Sequence, residues 1–215
     1  MQLYIGNQNY STWSLRPWLV IQHFGLDVET VKLKLFSEQF YAKLAELGAA
    51  AKVPTLVDYD LVVWDSLAIC EYLNETYLEG KGWPSDPKAR AKARSLAAEM
   101  HSGFGALRSQ MPMNCRARRF VKRTELLNLD ITRIEQIWAE QMELYPGRWL
   151  FGEWSIVDAM FAPVVLRFMT YQVELNSYAR LYMEKTLSSP HIQQWLAEAA
   201  METDVVDEAE VGEQL

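Results

Sequence analysis

The stretch Lys52-Val53-Pro54-Thr55-Leu56-Val57 is followed closely by Trp64-Asp65-Ser66-Leu67-Ala68-Ile69, and these two segments decide the fold of the 215-residue chain. Pro54 lacks an N–H group, so it belongs at a strand start or a turn and is compatible with a cis peptide bond. Asp65-Ser66 stands where a helix begins, which leaves unpaired N–H groups and the positive end of the helix dipole for a carboxylate. The two segments predict a socket for a small peptide-like acid.

A small α/β unit is predicted around this socket, at residues 1–78. Strands are predicted at residues 2–5, 28–35, 55–58 and 61–64, and helices at residues 11–24, 40–47 and 65–77. The first two strands flank a helical crossover and are expected to be parallel, whereas the last two form a hairpin. This order predicts a four-stranded mixed sheet with helices on its faces.

The second half of the chain shows only helical patterns. A turn-rich linker at residues 79–86 leads into predicted helices from Pro87 past Met100 and at residues 122–144, 155–171 and 189–200. Residues 87–215 are therefore expected to form a helical bundle domain. Ser155-Ile156-Val157-Asp158 has the form of a helix start with a capping box. The acidic tail, residues 202–215, has no apolar period and is predicted to be frayed or disordered.

Composition excludes several classes of function. The net charge of −7 argues against general nucleic-acid binding, and the basic residues between 116 and 123 are expected to form a solvated helix face. Neither a signal peptide nor a membrane span is evident. The two cysteines, Cys70 and Cys115, are too few for a disulfide framework and favour a reduced, cytoplasmic protein. No Cys or His spacing indicates a metal site.

The chain resembles the cytosolic glutathione S-transferase superfamily over nearly its whole length. The local matches are residues 53–56 (VPTL), 65–73 (DSLAICEYL) and 152–159 (GEWSIVDA), of which the last is similar to the family's capping box. Residues 9–17 (NYSTWSLRP) resemble the serine-type, zeta-like bacterial branch and its SSCxxR motif. The resemblance implies a thioredoxin-like N-terminal domain and an all-helical C-terminal domain.

The resemblance also implies that glutathione is the co-substrate and that a serine stabilises its thiolate. Alignment on Arg16 assigns this role to Ser11, with Ser14 as the rival, although simple N-capping also accounts for Ser11. A free thiol is mostly protonated at neutral pH, and a hydroxyl donating at a helix N-terminus favours the thiolate. Thr12 and Trp13 replace the motif's second Ser and its Cys, which argues against isomerase activity of the maleylacetoacetate type.

The remaining contacts to glutathione are assigned by the same resemblance. The backbone of Val53, held extended by Pro54, would pair with the cysteinyl part as an added strand does. Ser66 and the helix N-terminus suit the γ-glutamyl carboxylate, and Asp65 suits the ammonium group. Two lysines, Lys52 and Lys34, are candidates for the glycyl carboxylate.

The second substrate is expected between the domains. Its candidate contacts are Trp13, His101, Arg108 and Met111, and the alternatives are a structural His101 and a helix end broken by Pro112. The predicted function is attack of the glutathione thiolate on an electrophilic carbon, in a homodimer without nucleic-acid or membrane partners. Three alternatives stay open: peroxide reduction, cis–trans isomerisation, and a low-turnover module that binds glutathione or a partner.

Overall fold

Four short strands form a mixed sheet in the N-terminal part of the computed structural model, which describes residues 1–215. They are β1 (Gln2–Ile5), β2 (Glu29–Lys32), β3 (Thr55–Asp58) and β4 (Leu61–Trp64), in the spatial order β2-β1-β3-β4. β1 and β2 are parallel, whereas β1–β3 and β3–β4 are antiparallel. The parallel crossover and the hairpin are therefore confirmed.

Three helices accompany the sheet. They are α1 (Thr12–Phe24), α2 (Glu38–Glu46) and α3 (Ser66–Thr76). α1 packs against α3 and against the helical half of the chain, so most of its residues are buried. Gly25 ends α1 with φ of 64°, the left-handed conformation that glycine adopts without steric cost. The buried α1 fixes its own N-terminal residues beside the end of the sheet.

The C-terminal region is helical, as predicted. It contains α4 (Pro87–Ser102), α5 (Gly105–Gln110), α6 (Glu125–Leu144), α7 (Ile156–Thr170), α8 (Ser177–Leu187) and α9 (Pro190–Ala200). α7 lies at the centre and is buried on all sides, and Ser155 and Asp158 form the predicted capping box at its start. None of the helices combines the length and apolar character that crossing a membrane requires.

Some elements differ from their predictions. β2 ends at Lys32 instead of residue 35, because the chain leaves the sheet after the Leu33 N–H donates to the Ile5 carbonyl at 2.8 Å. Helices α5 and α8 were not predicted, since α5 is short and α8 carries many polar residues. The division into residues 1–78, 79–86 and 87–215 stays a prediction.

The prediction of a disordered tail is wrong. Residues 202–215 fold back on the protein, with a 3₁₀ turn at Asp207–Ala209 and a strand, β6 (Glu213–Gln214), antiparallel to β5 (Arg119–Phe120). The Tyr171 hydroxyl also donates to the Val211 carbonyl at 3.0 Å. The tail is ordered by contacts with residues far away in the chain, which a local apolar period does not reveal.

The basic run is likewise not a solvated helix face, because it lies in a loop and in β5. Arg116 donates to the carbonyls of Glu202 and Asp204, and Arg119 pairs with the carboxylate of Glu210. These two arginines therefore anchor the acidic tail.

Candidate functional site

The segment before β3 presents an unpaired stretch of backbone. The Val53–Pro54 peptide bond is cis, and neither the N–H nor the C=O of Val53 makes a hydrogen bond within the chain. Val53 and Pro54 line a cavity of about 470 Å³, which we call the Pro54 cavity. Its other lining residues are Trp13, Ala50, Lys52, Trp64, Asp65 and Ser66. A free backbone donor and acceptor thus face a space large enough for a peptide.

Asp65 begins α3 in a strained conformation. Its φ is 74°, a value that non-glycine residues seldom adopt and that tends to mark functional positions. One carboxylate oxygen accepts hydrogen bonds from the N–H groups of Leu67 (2.9 Å) and Ala68 (3.1 Å). The other oxygen lies 3.1 Å from Nε2 of His101. Asp65 is exposed, so its carboxylate remains accessible from the Pro54 cavity.

A buried cation lies beneath this helix start. The guanidinium of Arg16 is fully buried, makes no ion pair, and has one nitrogen 3.5 Å from the hydroxyl oxygen of Ser66. Burial, followed by the positive charges of Arg108 and Arg167, lowers the pKa of Arg16 to about 9. A positive charge without a counter-ion favours an anion at the neighbouring end of α3.

Trp13 makes cation–π contacts with two of these arginines. Its ring lies 4.3 Å from the guanidinium carbon of Arg16 and 4.6 Å from that of Arg108, measured to the ring centroid. The edge of the Trp13 ring meets His101 with centroids 5.4 Å apart. Cation–π contacts of this kind hold the indole rigidly at the edge of the site.

Ser11 lies in a second cavity, of about 350 Å³, which we call the thiol-side cavity. The two cavities share Trp13, Lys52 and Val53. The other residues of the thiol-side cavity are Tyr10, Ser11, Thr12, Leu35, Phe36, Phe40, Tyr41, Ala51, Val206, Glu208 and Ala209. Ser11 and Val53 therefore line the same cavity, and Val53 also lines the adjoining Pro54 cavity.

The hydroxyls of Ser11 and Ser14 form a pair. Ser11 occupies the N-cap position of α1, but its side chain makes no capping hydrogen bond. The two hydroxyl oxygens are 2.7 Å apart, and that of Ser14 also accepts the Gly6 N–H at 3.2 Å. Ser14 is fully buried and lines neither cavity, so only Ser11 is positioned to meet a ligand.

Thr12 also lines a cavity, although the sequence did not predict it as a site residue. It lines the thiol-side cavity beside Ser11, and its hydroxyl makes no hydrogen bond within the chain. Thr12 takes the place of the second serine in the SSCxxR-like motif, and this position could have indicated that it lies beside the ligand.

The two predicted lysines have different surroundings. Lys52 lines both cavities and is exposed. Lys34 lines neither cavity, and its ammonium lies 2.7 Å from the carboxylate of Asp204 in the tail. The structure thus brings Lys52, and not Lys34, to the other candidate residues.

Three residues predicted for the second-substrate pocket lie elsewhere. Met111 is buried in the core. Arg108 donates to the carbonyls of Met100 and Gly103 and so closes the C-terminal end of α4. Burial lowers the pKa of His101, so its ring is neutral at pH 7 and donates Nε2–H to Asp65. Only Trp13 of the four predicted residues lines the thiol-side cavity.

The C-terminal tail, residues 202–215, contributes to the thiol-side cavity, which the sequence did not predict. The carboxylate of Glu202 accepts the N–H groups of Gln8 (2.8 Å) and Asn9 (3.0 Å), and the Tyr10 hydroxyl donates to Glu210 at 2.6 Å. These bonds hold the loop that leads into Ser11. The tail therefore both shapes the loop and walls the cavity.

Parts of the chain are similar to known proteins. The family model "Glutathione S-transferase, N-terminal domain" matches residues 10–76. A probable maleylacetoacetate isomerase of Caenorhabditis elegans is 28% identical over 189 residues, which cover 82% of each chain. A stringent starvation protein A homolog of Haemophilus ducreyi is 24% identical, with 93% of this chain and 91% of the relative covered.

A solved structure is also similar. A glutathione transferase homolog from Burkholderia, with bound glutathione, is 26% identical with a TM-score of 0.70, and 93% of this chain and 97% of that chain are covered. The matched family model covers the loop with Ser11, the Pro54 segment and the start of α3. Residues 10–76 therefore form a domain of the glutathione S-transferase N-terminal family, and the chain as a whole is similar to glutathione transferase homologues in sequence and fold.

Proposed function

We propose that this protein is a glutathione transferase that binds glutathione along the Pro54 cavity, with the sulfur at Ser11, and directs the thiolate at an electrophilic carbon. The observation that carries the proposal is the unpaired N–H and C=O of Val53 beside Pro54. An extended peptide satisfies both groups, as in strand addition. The cysteinyl part of glutathione is such a peptide, and its side chain then reaches the thiol-side cavity that Ser11 lines.

The charged ends of glutathione are matched by charged or polar groups of the site. The γ-glutamyl carboxylate binds the Ser66 hydroxyl and the N-terminus of α3, above the unpaired cation of Arg16. The γ-glutamyl ammonium binds the exposed carboxylate of Asp65. The glycyl carboxylate binds Lys52, since Lys34 is held by Asp204.

Two hydroxyls stabilise the thiolate. The Ser11 hydroxyl donates to the Ser14 oxygen, which also accepts the Gly6 N–H. When sulfur is bound, both hydroxyls rotate, so that Ser14 donates to Ser11 and Ser11 donates to the sulfur. Ser11 contacts the reacting atom, and Ser14 is a positioning residue. The thiolate then forms a carbon–sulfur bond as the leaving group departs, and proximity in one cleft supplies the rest of the catalysis.

Isomerisation is the second candidate, favoured by the similarity to a maleylacetoacetate isomerase. In that reaction the thiolate adds to a double bond, the single bond rotates, and the thiolate leaves again. The tryptophan at position 13, where the motif has a cysteine, weighs against this reaction.

Binding of glutathione by the protein and by a Ser66→Ala variant tests the proposal. We expect the wild type to bind glutathione and to conjugate a chromogenic aryl halide. Ser66→Ala removes a hydrogen bond to a charged group, worth about 1.5–3 kcal/mol, and is expected to weaken the Kd roughly 10- to 100-fold. Calorimetry measures the Kd, and Ser85→Ala, at an exposed linker serine, is the matched control.

Each outcome of this test has a clear meaning. A wild type that does not bind glutathione would contradict the whole proposal. Binding without turnover of the aryl halide, a peroxide or a cis-dicarboxylate would leave only the low-turnover binding module. Equal affinities of Ser66→Ala and Ser85→Ala would remove Ser66 from the site.

A homodimer is also part of the proposal. Tyr59, in the β3–β4 turn, is 94% exposed, and Leu61 follows it on the edge strand β4, 45% exposed. Exposed apolar groups on a sheet edge favour a contact with a second copy. We expect light scattering to give twice the chain mass of 24.9 kDa, and a Tyr59→Ala, Leu61→Asp variant to be monomeric. Leu126→Asp, at an exposed leucine of α6, is the control, and an unchanged dimer in the double variant would refute this face.

A cytoplasmic location completes the proposal. Both cysteines, Cys70 and Cys115, are free and buried. Free thiols and a need for reduced glutathione both fit a reducing compartment.

A further inference from the structure

The C-terminal tail supplies one wall of the thiol-side cavity. Val206, Glu208 and Ala209 all line this cavity together with Ser11. Under the proposed function, on which this inference rests, glutathione occupies the Pro54 cavity and places its sulfur at Ser11. The thiol-side cavity is then the space left for the electrophile, and the tail faces it.

The tail is held in place by contacts on both sides of this wall. Before it, Asp204 pairs with Lys34 and accepts a hydrogen bond from Asn7 at 3.1 Å. After it, Glu210 accepts hydrogen bonds from Tyr10 and from Asn114 (2.8 Å) and pairs with Arg119. These bonds fix the wall between its two ends.

Glu208 differs from the paired acidic residues of the tail. Its carboxylate makes no hydrogen bond or ion pair, whereas Glu202, Asp204 and Glu210 are all bonded. Glu208 is exposed, so a solvated negative charge without a partner in the chain lies at the rim of the electrophile space.

No cation of the cavity offsets this charge once glutathione is bound. Lys52 is the only other charged residue of the lining, and the glycyl carboxylate neutralises it in the proposed complex. Arg16 and Arg108 contact the Trp13 ring, and Arg116 donates to the Tyr10 hydroxyl at 3.1 Å. None of these three arginines lines either cavity. The remaining walls are largely apolar and aromatic, with Phe40 and Tyr41 among them.

We propose that the tail determines substrate charge: Glu208 disfavours electrophiles that carry a carboxylate and leaves uncharged aromatic electrophiles as the preferred class. A like charge across a partly solvated cavity repels an anion by Coulomb interaction, and the repulsion is lost when the carboxylate becomes an amide. Glu208 is thus a specificity-determining residue, and its role does not depend on the hydroxyls that stabilise the thiolate.

The test uses two electrophiles that differ by one carboxylate, 2-chloro-1,3-dinitrobenzene and 4-chloro-3,5-dinitrobenzoate. In both, the glutathione sulfur forms a bond to the ring carbon and chloride leaves. Each kcat/KM is divided by the uncatalysed rate constant, which removes the difference in intrinsic reactivity. We expect Glu208→Gln to raise the anion-to-neutral ratio roughly three- to tenfold, as loss of one screened charge contact does. Glu213→Gln, at an exposed tail residue outside the cavity, is the control and is expected to leave the ratio unchanged.

A binding measurement makes the test independent of turnover. Calorimetry on the two glutathione conjugates, with and without the carboxylate, gives the same ratio from Kd values. An equal ratio in the wild type and Glu208→Gln, or a wild-type preference for the benzoate, would overturn the inference. If the wild type binds both conjugates with the expected Kd ratio but turns over neither electrophile, the proposed transferase activity is refuted and the role of Glu208 in binding is upheld.

Discussion

Replacing Ser11 by alanine is expected to raise the pKa of bound glutathione by about 1–2 units and to lower kcat/KM for a neutral electrophile roughly 10- to 100-fold. The Ser11 hydroxyl lines the thiol-side cavity, and rotation away from the Ser14 oxygen turns its proton towards the sulfur. A charge-assisted hydrogen bond at a helix N-terminus favours the thiolate over the thiol. Titration of the ultraviolet absorbance of the bound thiolate measures the pKa directly.

Two neighbouring hydroxyls serve as controls for this prediction. Ser14→Ala removes the bond that orients Ser11, so a smaller rise in the thiol pKa is expected. Thr12→Val tests the adjacent cavity hydroxyl, which is expected to leave the pKa nearly unchanged. An unchanged thiol pKa in Ser11→Ala, with glutathione still bound, would refute the assignment. A large rise in Thr12→Val would transfer the role to Thr12.

Replacing Asp158 by alanine is expected to have the largest effect on stability, a loss of about 3 kcal/mol in the free energy of unfolding at pH 5. Asp158 is fully buried at the start of α7 and accepts the N–H groups of Leu150 (3.2 Å) and Ser155 (2.9 Å). Alanine leaves both donors unsatisfied inside the core. Denaturant unfolding measures the loss, and Asp60→Ala, at the exposed hairpin turn, is the control.

The loss caused by Asp158→Ala is expected to shrink as the pH rises. Burial raises the pKa of Asp158 to about 7, although its hydrogen bonds to Ser155 and Leu150 oppose the shift. Between pH 4 and 7 the folded state therefore keeps a proton on Asp158 that the unfolded state has released. The free energy of unfolding of the wild type consequently falls by up to about 1.4 kcal/mol for each pH unit of increase. The alanine variant lacks this dependence. Parallel stability curves for the two proteins between pH 5 and 7 would contradict the raised pKa.

Local signals in the sequence predicted most of the elements. β1, β3 and β4 were predicted with the bounds that the structure shows, because short alternating segments between turn residues form strands in almost any context. The starts of α3 and α7 were also predicted, since Asp65 and Ser155 bind backbone groups within three residues of themselves. Capping is a short-range interaction, so its signal is present in the sequence itself.

The second-substrate side was predicted poorly. Arg108 and Met111 were assigned to it from their place after the linker, but the structure uses one to close α4 and buries the other. His101 instead binds Asp65, 36 residues earlier in the chain. The cavity that an adaptable apolar side chain or a single polar residue lines cannot be predicted from the residue type, because such side chains fit many surroundings.

Pro54, the Asp65-Ser66 helix start and the N-terminal end of α1 could be recognised in the sequence, because they act through backbone conformation within a few residues. The surroundings of Ser11 could not be recognised in this way. The contacts of Trp13 with Arg108 and the place of the acidic tail on the cavity wall depend on which elements pack together. Ion pairs such as Lys34–Asp204 join residues far apart in the chain and leave no periodic pattern. The tail was therefore predicted to be disordered, although it lines the thiol-side cavity.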